Sequence, residues 1–283
     1  MFSEVLALLT AVTNALGSVL AAKGMKNASS SVAAFYSVLT QAVVLTAILM
    51  TRLPLLNWFA VAYFALGGVL ALGLGRLLYF AAMRSVGVAR TSAIIGSSPV
   101  LTTCLSIILL TEAPLVSTLF GATLVAVGIL LISGARGFRL EKALIVGLFS
   151  ALSYSMSNIV SKMGLMIQAD SVLSAQAGTL AGLLFILSYI IVTQQHGSLK
   201  IDRPSFAYFV ATGLVSSLGW IALMKALETG VVSVVTTIVY SYPLFSLFFT
   251  RSFLRDEKLS MRVVAGSVLV IVGVVVVTLL KSV

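Results

Sequence analysis

Ten stretches of the chain, each at least 18 residues long, contain no Asp, Glu, Lys, Arg or His. They cover residues 5–22, 27–51, 53–75, 91–111, 113–135, 143–161, 171–195, 204–224, 229–250 and 263–280. A helix needs about 20 apolar residues to cross the hydrocarbon layer of a bilayer. A spanning β-barrel would instead show alternating polarity in segments of about ten residues. The pattern therefore predicts an all-α integral membrane protein with ten transmembrane helices and the lipid bilayer as its partner.

The charged residues support this prediction by their scarcity and by their position. Only 9% of the 283 residues are charged, against about 25% in an average soluble domain. The net charge of +10 lies mostly in short connections, where basic residues orient a chain and meet anionic headgroups. We therefore predict no nucleic-acid partner. Cys104 is the only cysteine, which excludes an internal disulfide. No Lys or Arg precedes the first stretch, so we expect it to remain as a helix rather than to act as a signal peptide.

The two halves of the chain repeat one pattern. Five landmarks recur in the same order, with spacings that agree within one residue. They are Gly87, Pro99, Glu112, Gly121 and Gly128, and then Gly230, Pro243, Glu257, Gly266 and Gly273. Residues 7–24 also align with residues 147–164 without a gap. The sequence thus predicts a duplication into a first repeat, 1–138, and a second repeat, 139–283.

Each repeat is expected to contain five spans. In the first repeat they lie at about 3–22, 30–51, 57–83, 89–111 and 114–134, and in the second at about 142–162, 171–194, 204–226, 230–250 and 261–280. Because five is odd, the second repeat must enter the membrane in the opposite direction, as in many transporters whose substrate binds between inverted repeats. The connections on one side hold thirteen Lys and Arg and those on the other side hold four. The positive-inside rule places the thirteen in the cytoplasm and both termini outside.

At these residues the sequence resembles the EamA-type transporters of the drug/metabolite transporter superfamily. The shared motifs are AAMRSVG (81–87), SSP (97–99), Glu112, Gly121 and Gly128, and again KALETG (225–230), SYP (241–243), Glu257, Gly266 and Gly273. The resemblance implies ten helices, alternating access and a central cavity lined mainly by spans 1, 3, 4, 6, 8 and 9. It also implies cytoplasmic termini, opposite to the expectation from the charge count.

Pro99 and Pro243 lie inside spans 4 and 9. A proline within a helix frees a backbone carbonyl, and in a membrane that carbonyl must face protein, hydroxyl groups or a watery cavity. We interpret the two prolines as helix kinks that bend these spans around the cavity. A kink with a purely structural role fits the sequence equally well.

Arg76 is a charged residue within span 3. A charge at the centre of a spanning helix costs about 2.5–3.5 kcal/mol on insertion scales. Three interpretations remain open: the side chain snorkels to the basic face, it caps the carbonyls of another helix, or it lines the cavity and attracts an anionic or carboxylate-bearing substrate. No Asp or Glu lies deep within a span, so we do not expect coupling through a buried carboxylate.

Polar and aromatic side chains within the spans complete the candidate site. Asn14 and Ser18 align with Tyr154 and Asn158, and each pair lies four residues apart on one helix face. Such side chains also join helices in lipid, so a packing role stays open. The predicted substrate-binding residues are Asn14, Arg76, Tyr79, Ser98, Tyr154, Asn158, Trp220 and Tyr242.

The sequence therefore predicts a secondary transporter that exports or exchanges a small polar metabolite, such as an amino acid or another small organic solute, across the cytoplasmic membrane by alternating access through a central cavity between the inverted repeats. We expect no cofactor and no metal, and a homodimer is left open. A passive channel and, less favoured, a membrane-embedded enzyme are the alternatives. The single histidine lies in a connection and no nucleophile has a base in a recognisable motif, so the protein is not expected to be an enzyme.

Overall fold

The computed structural model describes residues 2–52, 54–110, 120, 121, 123–125, 127, 128, 131, 142–194, 199, 201–230, 232–253 and 261–279. Glu112, Glu257 and most of the fifth expected span lie outside these residues. All regular secondary structure in the described residues is helical. This is the arrangement that satisfies every backbone polar group within a single segment in lipid.

The helices follow the order of the predicted spans. They are α1 (Phe2–Gly24), α2 (Ser30–Leu49), α3 (Trp58–Val86), α4 (Val88–Ile95), α5 (Ser98–Leu110), α6 (Lys142–Ile167), α7 (Ser171–Val192), α8 (Arg203–Thr229), α9 (Val232–Val239), α10 (Tyr242–Phe253) and α11 (Met261–Leu279). The described residues between 120 and 131 are helical as well. In the part of the chain that the structure describes, α1, α2, α3, α6, α7 and α8 are each long and apolar enough to cross a membrane.

The proline-containing spans are each divided into two helices. A break at residues 96–97 separates α4 from α5, and a break at residues 240–241 separates α9 from α10. Pro99 and Pro243 are the second residues of α5 and α10. Proline fits the first turn of a helix because the N–H that it lacks would have no helical partner there. Each proline therefore marks the start of a new helix.

The two breaks satisfy their backbone groups in the same way. The Ser97 hydroxyl donates to the Ile94 carbonyl at 2.7 Å, and the Ser241 hydroxyl donates to the Ile238 carbonyl at 2.7 Å. The breaks also lie close together, since a methyl group at Gly96 would come within 3.1 Å of the Pro243 ring. The interruption of one half thus faces the interruption of the other.

The two most extensive helix pairs join the halves in a reciprocal pattern, α1 with α8 and α3 with α6. Thr10 near the start of α1 donates to the Gly219 carbonyl at 3.2 Å, while Gly24 at its end lies against Phe209. The two helices are therefore antiparallel.

The pair formed by α3 and α6 repeats this geometry. Ser150, which aligns with Thr10, donates to the Gly75 carbonyl at 2.8 Å. Gly164, which aligns with Gly24, lies against Phe64. These two helices are antiparallel too.

The remaining contacts fix the directions of the other long helices. Helices α2 and α7 are antiparallel, because Gln41 bonds Thr179 at 3.2 Å and Thr46 bonds Gln176. Helices α3 and α7 are parallel, with contacts from Gly68 to Gly178 and from Gly73 to Phe185. Helices α2 and α8 are parallel, with contacts from Tyr36 to Phe206 and from Thr40 to Gly213. Taken together, each of the first three helices runs opposite to its counterpart in the second half: α1 to α6, α2 to α7 and α3 to α8.

Two glycine–phenylalanine contacts lock the halves together. Phe64 and Phe209 are buried, and each ring fills the space left by the missing side chain of a glycine in the other half. A methyl group at Gly24 would lie 2.5 Å from the Phe209 ring, and one at Gly164 would lie 2.6 Å from the Phe64 ring. Rings this deeply packed cannot move aside freely.

We predict that Gly24→Ala and Gly164→Ala each destabilise the protein by about 1–3 kcal/mol, the usual cost of overpacking. The thermal midpoint of the purified protein in detergent measures the effect. The control is Gly17→Ala, since a methyl group there would meet only the Ser216 hydroxyl at 3.5 Å, an ordinary contact. Midpoints of the two variants equal to that of the control would contradict the proposed lock.

Candidate functional site

The middle of α3 is a π-helical segment, Val69–Gly75, immediately before Arg76. A π-helical turn is wider than an α-helical one and occurs often at functional sites. Three serines on α6 bond backbone carbonyls in and beside this segment. Ser157 donates to Gly67 at 2.7 Å, Ser153 to Leu70 at 2.6 Å and Ser150 to Gly75 at 2.8 Å.

These three serines, which we call the α6 serine ladder, lie three and four residues apart and therefore share one face of α6. In a membrane interior, water does not reach distorted backbone groups, so side-chain hydroxyls must satisfy them. The ladder thus holds the π segment in place and with it the direction in which Arg76 leaves α3.

A central cavity lies where the two halves meet. Its walls come from α1, α3, α4, α6, α8 and the α9–α10 region, the spans that the family resemblance implied. The lining residues are Thr10, Asn14, Gly17, Ser18, Leu72, Arg76, Tyr79, Phe80, Ile95, Tyr154, Asn158, Thr212, Ser216, Gly219, Trp220, Leu223, Val239, Tyr240 and Tyr242. The atom-free space between the walls is about 770 Å³ with its open mouth included. These dimensions suit a small solute.

Arg76 lines the cavity and is held by neutral partners. Its Nη1 donates to the Gln41 Oε1 at 3.2 Å, and the guanidinium also interacts with the Tyr154 hydroxyl. Gln41 is fully buried, and its Nε2 donates to the Thr179 hydroxyl at 3.2 Å. Among the described residues, no helix carbonyl lies within hydrogen-bond distance of this guanidinium. Of the three interpretations of Arg76, the geometry fits the cavity-lining one.

Two tyrosines of the cavity are bonded by aligned positions of the two repeats. The Tyr79 hydroxyl bonds Ser18 at 2.6 Å, and the Tyr240 hydroxyl accepts from the Asn158 amide at 3.2 Å. Ser18 and Asn158 are aligned positions of the two repeats, so each first helix of a repeat holds one tyrosine of the cavity.

Aromatic rings cover much of the remaining wall. Tyr79 and Tyr154 meet edge to face with their centroids 6.5 Å apart, and Tyr240 lies 6.3 Å from Tyr242. The Trp220 Nε1 donates to the Ala175 carbonyl at 3.2 Å. Because this donor is already used, Trp220 offers the cavity its aromatic surface and no free N–H.

Asn14 presents an amide to the cavity on the wall formed by α1. Its side chain is exposed in the structure, and no described residue lies within hydrogen-bond distance of that amide. The Asn14 backbone carbonyl, in contrast, accepts from the Ser18 hydroxyl at 2.6 Å. The free amide is therefore available to a solute.

Seven of the eight predicted substrate-binding residues line this cavity: Asn14, Arg76, Tyr79, Tyr154, Asn158, Trp220 and Tyr242. Ser98 is not one of the lining residues. Its hydroxyl donates to Ala151 at 3.2 Å and its carbonyl accepts from Ser155 at 2.9 Å, so Ser98 joins α5 to α6 behind the wall.

Sequence reasoning missed several polar members of the site. Thr10, Thr212 and Ser216 line the cavity, and Gln41 supports Arg76 from the second helix. Gln41 had a usable signal, because it is an isolated amide in the uncharged stretch 27–51. In the described part of the chain, no group of three or more His, Cys, Asp or Glu is placed to hold a metal ion.

A cluster of polar side chains lies at the carboxyl-terminal end of α8. Lys162 donates to the carbonyls of Leu227 at 2.7 Å and Gly230 at 3.1 Å, where the last carbonyls of a helix need partners. Glu228 accepts from the Ser171 backbone N–H at 3.0 Å and pairs with Lys225. This cluster ties α6 and the start of α7 to the end of α8.

We predict that Ser153→Ala lowers the stability of the protein by about 1–3 kcal/mol, because the Leu70 carbonyl then loses the hydroxyl hydrogen bond that reaches it from α6. Thermal unfolding of the purified protein measures the loss. The matched control is Ser188→Ala, which removes an exposed hydroxyl that bonds only Leu184 of its own helix at 2.9 Å. If both variants unfold at one temperature, the serine ladder does not support the π segment.

Comparisons with known proteins agree with this architecture. The sequence model of the EamA-like transporter family matches residues 1–134 and again residues 141–279. A solved crystal structure matches with a TM-score of 0.70 and 18% sequence identity, over 99% of this chain and 96% of that chain, which shows a shared fold. No curated protein matches the chain. The resemblance found in the sequence is confirmed: the chain belongs to the EamA-like transporter family of the drug/metabolite transporter superfamily and is a multi-pass integral membrane protein.

Proposed function

We propose that this protein is a ten-helix secondary transporter that moves a small polar metabolite across the cytoplasmic membrane through the central cavity. Its two repeats, 1–138 and 139–283, are inverted five-helix units, and the solute binds between them. The observation that carries the proposal is the cavity itself, which is small and lined by polar and aromatic side chains from both halves.

The reciprocal packing supports alternating access. The α1–α8 pair and the α3–α6 pair share one geometry in opposite directions. An exchange of conformations between the two pairs opens the cavity to one face of the membrane and closes it to the other, which is how inverted repeats work in many transporters.

The broken spans provide the points of movement. At residues 96–97 and 240–241 the backbone leaves the helical ladder, so α5 and α10 can tilt without breaking long runs of hydrogen bonds. Each break contributes to the cavity or lies beside it, since Ile95, Tyr240 and Tyr242 are lining residues. Movement at a break therefore changes the shape of the site.

The charges of the cavity indicate whether transport is coupled to the movement of protons. Among the described lining residues there is no Asp or Glu that could carry a proton between the two faces. This supports facilitated export or exchange over proton coupling through a buried carboxylate.

We predict that Asn158→Ala reduces transport at least about tenfold in kcat/KM, since the variant loses the amide that holds the Tyr240 hydroxyl and faces the solute. Transport is measured in proteoliposomes with the solute that most raises the melting temperature in a screen of amino acids, nucleosides, organic anions and quaternary amines. Asn27→Ala is the control, because Asn27 is exposed in the connection after α1.

Exchange across the liposome membrane separates a transporter from a passive channel. A transporter shows saturable uptake that accelerates when the same solute is present inside, because the loaded site returns across the membrane. Unsaturable uptake without such acceleration would contradict the proposal, as would equal rates for Asn158→Ala and the control.

A further inference from the structure

The chemical class of the solute can be inferred from the charge of the site. Arg76 is the only charged residue among the described residues that line the cavity. No Asp or Glu in the described part of the chain lies within ion-pair distance of its guanidinium. The protein therefore keeps a positive charge at the seam of its two halves without a counter-ion from the described residues.

The support of Arg76 is neutral and rigid. Gln41 accepts from one guanidinium nitrogen at 3.2 Å, and Gln41 is itself fixed by Thr179. Tyr154 interacts with the guanidinium from α6. A neutral partner leaves the charge uncompensated, and it uses only part of the five N–H donors that an arginine offers. The remaining donors are available to a ligand.

A planar anion matches the N–H donors of Arg76 that remain unused. Arginine binds carboxylates through two parallel hydrogen bonds, which are stronger and more directional than those to neutral groups. The free amide of Asn14 and the hydroxyl groups of Tyr79 and Ser216 add neutral hydrogen-bonding groups along the same cavity. None of these groups disfavours an anion.

The charge of the cavity favours an anion over an ammonium group. No carboxylate lies among the described lining residues, and Arg76 repels a second positive charge within the same small space. The faces of Tyr79, Tyr154, Trp220 and Tyr242 suit instead a flat or apolar group.

We propose that Arg76 binds the carboxylate of a small monoanionic solute that has no ammonium group, while the aromatic walls hold its apolar part. This inference rests on the proposed transport function and narrows it, since the sequence alone allowed an amino acid as readily as an organic anion. Arg76 is then the residue that determines which charge class of solute the cavity accepts.

Matched compounds test the charge preference on the intact protein. Purified full-length chain is titrated with propionate, propionamide and alanine, and with benzoate and benzamide, against sodium chloride at equal ionic strength. We expect both carboxylates to raise the melting temperature, and each amide and alanine to bind at least about tenfold more weakly. The inference would be overturned by any of three results: equal shifts of the melting temperature for a carboxylate and its amide, a larger shift for alanine than for propionate, or no shift with either carboxylate.

Variants then assign the preference to Arg76. Arg76→Gln is expected to remove at least about tenfold in affinity for the carboxylates, and Arg76→Lys to retain part of it, because lysine keeps the charge but loses the planar fork. The control is Arg84→Gln, the same change two turns along α3 at an exposed position. If Arg76→Gln binds the carboxylates as tightly as Arg84→Gln does, Arg76 does not determine the preference. If Arg76→Gln fails to fold, the comparison of each acid with its amide on the wild-type protein still tests the inference.

Uptake into proteoliposomes separates this inference from the transport function. Saturable uptake of the carboxylates, lost in Arg76→Gln, supports both. Saturable uptake of alanine or the amides that is equal in wild type and Arg76→Gln overturns the inference while the transporter stands. No wild-type uptake of the carboxylates above protein-free liposomes, together with saturable uptake of another solute from the thermal screen, overturns the inference alone. No saturable uptake of any of these solutes overturns both.

Discussion

The structure depends on satisfying backbone polar groups in a place where water cannot do so. Three segments leave the regular α-helical ladder inside the membrane-spanning region: the π segment of α3 and the breaks before Pro99 and Pro243. At each one, serine hydroxyls bond backbone carbonyls within or beside the irregular segment. Irregular backbone at membrane depth is tolerated only where protein or a watery cavity meets it. All three segments lie around the central cavity, so the distortions and the site are parts of one arrangement.

The duplication explains why the same contacts occur twice. Thr10 and Ser150 occupy aligned positions and each donates to a glycine carbonyl of the other half. Ser18 and Asn158 are aligned as well, and each binds one tyrosine of the cavity. The cavity is nevertheless not symmetric in charge. Arg76 follows a π segment that has no counterpart in α8, so one wall carries the positive charge and the other carries only neutral groups. The proposed preference for an anionic solute rests on this asymmetry.

Much of the fold could be predicted because its signals are local. Continuous apolar stretches predict helices, and the repeated landmarks predict two related halves. Asn14, Tyr154 and Asn158 could be placed in the cavity because residues four apart share a helix face.

The rest depends on contacts that no single stretch encodes. VLALGLG (69–75) has the composition of an ordinary spanning helix, so the π segment could not be predicted from it. The bonds of Ser98 to Ala151 and Ser155 could not be predicted, because they depend on how α5 packs against α6. Gln41 supports Arg76 only through tertiary packing between α2 and α3.

The central claim is that the two halves enter the bilayer in opposite directions and enclose a solute site where they meet. Single cysteines at Asn27, after α1, and at Ala169, after α6, occupy matching connections, and both positions are exposed. Each is introduced with Cys104→Ser and treated in intact cells with a membrane-impermeant maleimide, before and after permeabilisation. We predict that one cysteine reacts before permeabilisation and the other only after it. Reaction of both cysteines from the same side would contradict the account.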